Sequence, residues 1–383
     1  MSPLETEIRS RIEQDGPLSI AEYMALCLLH PEYGYYTTGT PVGGRASASR
    51  EGGDFITAPE ISQMFGEMIG VWCMEVWQAL GEPSPFALVE LGPGRGTLMA
   101  DLLRVAKALP GFAAAADIYL VEVSGTLAEQ QSLTLEKSGA SLKWLRDTGQ
   151  LPDMPAIIIG NEFLDALPFR QWVRLEGQWL ERAIGIRDDK LAFVAKANVL
   201  PQEDEPEGEH EDGTIFETAP AREAQIAQIA AHLKQHNGAA LFIDYGHLKS
   251  GTGDTFQAVR DHAYADPLAA PGQSDLTSHV DFETLLAIAK TAGCAVPPAT
   301  AQGKFLVELG LLERAGTLGS GKNDHIQNQL RSAVERLAGP DAMGNLFKVA
   351  AFGAPASLGN RWPGFRSADD DMTDALSQDQ PSG

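Results

Sequence analysis

Apolar residues recur at helical spacing over Ile20 to Leu29 and again over Ile61 to Leu80. Ser19 is placed to cap the first run, and Pro59 stands near the start of the second. The pattern predicts an N-terminal helical region. Between the two runs, Pro31 to Pro59 is rich in Gly, Thr and Ser and carries few core-forming residues, as expected of a long functional or disordered loop. After Gly81-Glu82-Pro83 the pattern changes to short apolar runs alternating with helical stretches, which predicts repeated βα units and a parallel sheet. Strands are expected at Phe86 to Leu91, Ile118 to Val123, Leu142 to Leu145, Ala156 to Gly160 and Ala239 to Asp244. Helices are expected near Leu98 to Ala108, Leu127 to Lys137, Ala221 to Gln235 and Asp281 to Ala292. Two later apolar runs, Phe305 to Leu312 and Leu346 to Phe352, are expected to supply the last two strands of a doubly wound, seven-stranded Rossmann-like α/β sheet.

Between the fourth and fifth strands, Gln171 to Ala197 alternates apolar and polar residues around Glu176-Gly177 and Asp188-Asp189, which predicts inserted antiparallel β-hairpins. Pro201 to Gly213 is almost wholly Asp, Glu, Pro, Gly and His and reads as a solvated loop, with His210 an ordinary polar residue in it and no metal site. The expected organisation is an N-terminal helical region and lid loop over residues 1–82, an α/β domain over 83–365 with an insertion at about 169–215, and an acidic, disordered tail over 366–383.

Charge and composition narrow the partners. Asp plus Glu outnumber Lys plus Arg by 52 to 29, a net charge of −23, which opposes attraction to nucleic acid or anionic lipid. Cys27, Cys73 and Cys294 are widely spaced and suggest neither a zinc site nor a disulfide framework. The N-terminus lacks a basic segment followed by an apolar run, and no stretch approaches the roughly 20 apolar residues that span a bilayer. A cytoplasmic protein without a membrane span is expected.

The chemistry concentrates at Phe86 to Leu98, where a buried strand runs into Gly92-Pro93-Gly94-Arg95-Gly96 and then into a helix, a geometry that brings a ligand against backbone amides at a helix N-terminus. A dinucleotide fingerprint spaces its glycines G-x-G-x-x-G to receive a pyrophosphate. Here the spacing is G-x-G-x-G, preceded by the acid Glu90. A carboxylate at that place repels pyrophosphate and suits the ammonium group of S-adenosylmethionine. Glu122, at the end of the next strand, is placed to accept the ribose hydroxyl protons, and Asp147, after the third, to meet the adenine amino group.

A second polar loop follows the fourth strand at Asn161-Glu162-Phe163-Leu164-Asp165 and opens onto the same crevice. Methyl transfer from a sulfonium needs in-line approach of a nucleophile and little covalent help. For an arginine acceptor, paired carboxylates at Glu162 and Asp165 can grip the guanidinium and remove its proton, with Asn161 beside them as a further polar ligand.

These residues resemble the MidA family, the mitochondrial complex I assembly factor methyltransferases and their bacterial relatives. The resemblance covers nearly the whole chain and rests on Gly53 to Glu67, Val89 to Thr97, Leu120 to Ser124, Asn161 to Pro168, Asp244-Tyr245-Gly246-His247, Ala270 to Thr277 and Val280-Asp281-Phe282. It implies a class I S-adenosylmethionine-dependent fold and, for the mitochondrial member, symmetric dimethylation of an arginine in a quinone-site subunit of respiratory complex I. The acidic insertion and tail are not part of that pattern. The resemblance further implies that the Asp54 to Glu60 loop closes over cofactor or target, with Thr57, Pro59 and Glu60 as its site residues. His247, after the fifth strand, is a candidate proton relay. A small-molecule methyltransferase, a non-catalytic cofactor-binding assembly chaperone and a dehydrogenase are the competing readings.

Overall fold

The computed structural model describes residues 1–38, 57–260, 263–354 and 362–365. Most of the Pro31 to Pro59 segment, Gly53 to Ile56 of the quoted motif, and the tail from Arg366 lie outside them. The main sheet contains β1 (Phe86–Leu91), β2 (Ala116–Val121), β3 (Leu142–Leu145), β4 (Ala156–Asn161), β5 (Gly238–His247), β6 (Thr300–Ala301) and β7 (Phe347–Ala354). Their spatial order is β6-β7-β5-β4-β1-β2-β3, with Val280–Asp281 added beside the end of β5. β1 to β5 are mutually parallel and β7 runs antiparallel to β5. Apolar side chains of β1 and β4 pack into separate clusters on the two faces of the sheet, which is why these strands read as unbroken apolar runs. The strand order reverses between β1 and β4, and that switch point opens a crevice beyond their carboxyl ends.

The expected strands and helices are present with ends shifted by a residue or two, or three where β5 runs on to His247, except at Phe305 to Leu312. That run is helical, Gln302–Glu308 followed by Leu311–Gly319. A short apolar run fits either period. Here Phe305 and Leu306 are buried, Val307 is exposed, and Lys304 pairs with Glu308 one turn on at 3.5 Å. The sheet position is filled instead by the two-residue β6 just upstream.

Ser19 caps Ile20–Leu29 as expected, in a capping box with Glu22. The expected second helix begins as the turn Ala58–Ile61 and continues as Gln63–Ala79. Gln63–Ala79 lies against Thr97–Ala106, the helix leaving the glycine turn, and the approach is close because Gly66 and Gly70 face it. A Cβ at Gly66 would stand 2.6 Å from Asp101 Cβ, and one at Gly70 2.4 Å from Val105 Cγ1. Beside this contact the buried Glu67 carboxylate bonds Arg104 at 3.1 Å and Arg314 at 2.8 Å, so the charge is paired where it leaves water.

The inserted sheet consists of Arg170–Leu175, Gln178–Arg187, Lys190–Val199 and Ile215–Thr218, joined by Leu18–Ser19 from the N-terminal region. Its two tight turns fall at Glu176-Gly177 and Asp188-Asp189, all four residues having positive φ, as two-residue hairpins with the right-handed strand twist require. The loop from Pro201 to Gly213 is largely exposed, though His210 rests edge-on against the Trp179 ring. A third sheet, Gln257–Arg260, Ala263–Ala265 and Asp275–Thr277, had no counterpart in the sequence pattern. The N-terminal helices share one apolar cluster with this sheet and the insertion. Among the described residues no helix is long and apolar enough to cross a membrane, and all three cysteines are buried and free.

Gly66→Ala places a methyl group where Asp101 already stands, and is expected to destabilise the fold by about 1–3 kcal/mol, as overpacking does. The urea midpoint of the purified variant checks this; an unchanged midpoint would mean that the helices separate freely.

Candidate active site

A cavity of about 380 Å³ opens at the carboxyl ends of β1, β2, β4 and β5. Glu90, Gly92, Pro93, Gly94, Glu122, Asp147, Asn161, Thr57, Pro59, Glu162 and Asp165, all singled out from sequence, line it. Gly96 stands just behind the lining, where it begins Thr97–Ala106 at φ 80°.

At one end the glycine turn folds back on itself. Gly92 and Gly94 also have positive φ, and a Cβ at Gly92 would press the Phe163 ring at 3.1 Å. Glu90 is buried, and its Oε2 has no hydrogen-bond partner among the described residues. Burial pushes its carboxyl up to about 8, against the opposing hydrogen bond from the Met99 backbone. A buried carboxylate with a free oxygen suits an incoming ammonium. Glu122 accepts the Ser124 amide at 2.8 Å and Gln131 Nε2 at 3.0 Å, leaving lone pairs toward the cavity. The fully buried Gln131 also donates to the Gly94 carbonyl at 2.9 Å and accepts from Trp144 Nε1 at 2.8 Å, so one amide ties the turn, Glu122 and β3 together. Asp147 lines the cavity while its Oδ1 accepts the Gly149 amide at 2.8 Å.

The roof comes from the N-terminal region. Thr57 precedes the turn Ala58–Ile61, whose first amide donates to Glu162 Oε1 at 3.4 Å, and Glu60 Oε1 accepts from the Thr97 hydroxyl at 2.6 Å.

The other end is acidic. Glu162 follows β4 in the left-handed region at φ 49° and accepts from Asn161 Nδ2 at 3.1 Å. Burial, and then the charge of Asp165, push its carboxyl up to about 8. Asp165 and Asp244 are buried together. Asp244 Oδ2 accepts the Leu164 and Asp165 amides at 3.0 and 3.2 Å. Burial raises both acids, opposed at Asp165 by the Tyr245 hydroxyl and the charge of Arg222. Arg222, itself buried, donates to the carbonyls of Asp165 at 3.1 Å, Leu167 at 3.3 Å and His279 at 2.8 Å, and to Ser278 Oγ at 2.6 Å. It fixes the loop and compensates its charge.

His247 is not brought to this cavity. β5 continues past Tyr245 to pair with Val280–Asp281, and His247 turns to the Lys249 carbonyl at 2.8 Å in a neighbouring cavity of about 1160 Å³. His279 lines both spaces. Sequence reasoning assigned no role to Tyr36, Gln131, Arg222, Asp244, Tyr245 or Asp275. Asp244, Tyr245 and Asp275 lay inside quoted motifs, whereas Tyr36, Gln131 and Arg222 carry no local signal.

The family model for S-adenosyl-L-methionine-dependent methyltransferases matches residues 68–300. The chain belongs to this methyltransferase family. It is 36% identical over 370 residues to the mitochondrial protein arginine methyltransferase NDUFAF7 of Xenopus laevis, covering 88% of this chain and 81% of that protein. The Homo sapiens protein of the same name is 35% identical over 377 residues, 92% and 83% of the two chains. A Burkholderia thailandensis structure bound to S-adenosyl-homocysteine superposes with a TM-score of 0.79 at 28% identity over 95% of this chain and 93% of that one. The resemblance to the MidA family, the Rossmann-like fold and the cofactor thus hold: the methyltransferase uses S-adenosylmethionine.

Gln131→Ala frees the glycine turn from Glu122, and is expected to weaken S-adenosylhomocysteine binding about tenfold, the worth of one or two hydrogen bonds. Isothermal titration calorimetry measures this directly; wild-type affinity would show that the amide only supports the fold.

Proposed function

We propose that this methyltransferase acts on an arginine side chain of a protein, and that the protein is a quinone-site subunit of respiratory complex I. The observation that carries the first part is the acidic end of the cavity, where Glu162 and Asp165 stand together beyond the cofactor turn. Paired carboxylates suit a cationic, planar, many-donor acceptor. The relatives named protein arginine methyltransferases agree with an arginine acceptor. The second part rests on the resemblance to complex I assembly factors, and a large acceptor accords with the length of the Pro31 to Pro59 segment and with the helical N-terminal region.

In this reading Glu90 holds the ammonium end of the cofactor, Glu122 its ribose hydroxyls, Asp147 and Asn161 flank it, and Thr57 and Pro59 cover it. S-adenosylmethionine, when bound, supplies an electrophilic methyl on a positively charged sulfur. Glu162 and Asp165 grip the guanidinium and localise a lone pair on one nitrogen. On methyl transfer the Glu162 carboxylate would take up the proton that the acceptor nitrogen gives up. A carboxyl raised to about 8 is a stronger base than an ordinary one, which suits it to that task. Arg222 and Asp244 hold the loop that carries both acids.

Because Glu162 must be ionised to accept a proton and its affinity for protons is raised, kcat/KM is expected to climb as pH increases through about 8 in the free enzyme. Glu162→Gln should lower kcat at least about a hundredfold and abolish that limb, with cofactor affinity retained. Rate profiles with labelled cofactor test both. The substrate is tested by site-resolved mass spectrometry of complex I subunits from cells with and without this gene, complemented by wild type or Glu162→Gln. Loss of a dimethyl-arginine rescued only by wild type is expected. An unchanged methylation pattern removes complex I arginine as the target. Complex I assembly that persists with the variant, with no methyl mark on any partner, favours an assembly chaperone.

A further inference from the structure

The acidic end of the cavity has a second wall, and it does not come from the main sheet. Asp275–Thr277 belongs to the small third sheet, where it pairs with Gln257–Arg260. Side chains alternate along a strand. Here Leu276 joins the N-terminal apolar cluster, while Asp275 and Thr277 both line the cavity. The strand is held at both ends. Tyr36, on the N-terminal helical turn Tyr35–Thr38, donates its hydroxyl to Asp275 Oδ1 at 2.8 Å. Just past Thr277, the Ser278 amide donates to the Asp165 carbonyl at 3.3 Å, and Ser278 Oγ accepts from Arg222 at 2.6 Å. Thr277 therefore stands beside the loop that carries Glu162 and Asp165.

Thr277 is 4% exposed, and its Oγ1 has no hydrogen-bond partner among the described residues. A hydroxyl taken out of water costs free energy that a folded chain ordinarily recovers through a hydrogen bond, so an unmatched one at a cavity wall points to a ligand that completes it. Glu90 Oε2, Asn161 Oδ1 and Asp165 Oδ1 are buried and unmatched in the same way, and all four residues line this cavity. In the arginine reading the first three meet cofactor or acceptor, and the Thr277 hydroxyl has no such assignment. A guanidinium presents five N–H donors around the edge of a plane, so carboxylates delivered by one loop leave donors on another edge unsatisfied. A hydroxyl oxygen accepts an N–H and adds no charge to a site already crowded with buried acids. We propose that the Thr277 hydroxyl accepts one N–H of the acceptor guanidinium. The inference rests on the arginine reading and deepens it: the third sheet becomes a direct part of acceptor recognition, with Thr277 as its binding residue.

The test uses the full-length enzyme with the quinone-site subunit purified from cells lacking this gene, so that its arginine is unmodified. Thr277→Val exchanges the hydroxyl for a methyl group of similar size. It is expected to raise KM for the subunit about tenfold with kcat within about twofold, the worth of one hydrogen bond from a charged donor that is made equally in ground and transition states. Thr277→Ser keeps the hydroxyl and should hold KM within about twofold of wild type. The melting temperature of Thr277→Val should be at or above that of wild type, because an apolar group replaces an unmatched hydroxyl. S-adenosylhomocysteine affinity should be unchanged in both variants. If Thr277→Val fails to fold, Thr277→Ser against Thr277→Ala, which differ in the hydroxyl alone, gives the same comparison. Wild-type KM in Thr277→Val, an equal rise of KM in Thr277→Ser, or a loss confined to cofactor affinity overturns the inference and leaves the arginine reading standing. If the wild-type enzyme transfers no methyl to an arginine of the subunit, the reading falls and the inference with it.

Discussion

Asp165 and Asp244 sit side by side out of water with the Arg222 guanidinium buried beside them, its charge acting on both. Two carboxyls stripped of solvent repel each other and resist ionisation; the charge of an arginine whose own hydrogen bonds end on three backbone carbonyls and Ser278 Oγ opposes that effect at both. That triad fixes the loop after β4, and the loop places Glu162. Removing the cation would leave unpaired buried acids at the centre of the site, so the fold and the chemistry meet at this one side chain.

The same principle grades the rest of the cavity. Glu67, paired with two arginines, is a structural charge at the helix contact. Glu90 keeps a buried oxygen unmatched, Glu122 is half satisfied by an amide and a glutamine, and Glu162 accepts both of its hydrogen bonds at Oε1, one of them long. Each of these three acids lines the cavity.

Much of this was legible in the sequence. Strands buried on both faces read as apolar runs, the glycine turn announced itself by spacing, and Glu176-Gly177 and Asp188-Asp189 marked two hairpin turns to the residue. The Phe305 to Leu312 run was misread because eight residues cannot distinguish a buried strand from a buried helix. His247 was placed by its nearness to Asp244 and Tyr245 in the chain, but β5 keeps its direction for two residues beyond Tyr245 and carries His247 away. Tyr36 and Asp275 meet across 239 positions, and Arg222 reaches the Asp165 carbonyl across 57. Contacts of that range leave no periodicity behind, so the far wall of the cavity could only be seen once the chain was folded.

Glu162 occupies a backbone conformation that an L-residue with a Cβ adopts at a cost of about 1–2 kcal/mol relative to the right-handed alternative. Glycine or asparagine would relieve most of it. Laboratory selection for thermal resistance alone would therefore push this position away from glutamate, and would gain stability by erasing a carboxylate that lines the cavity. The strain at one φ angle sets durability against the carboxyl group at the same position.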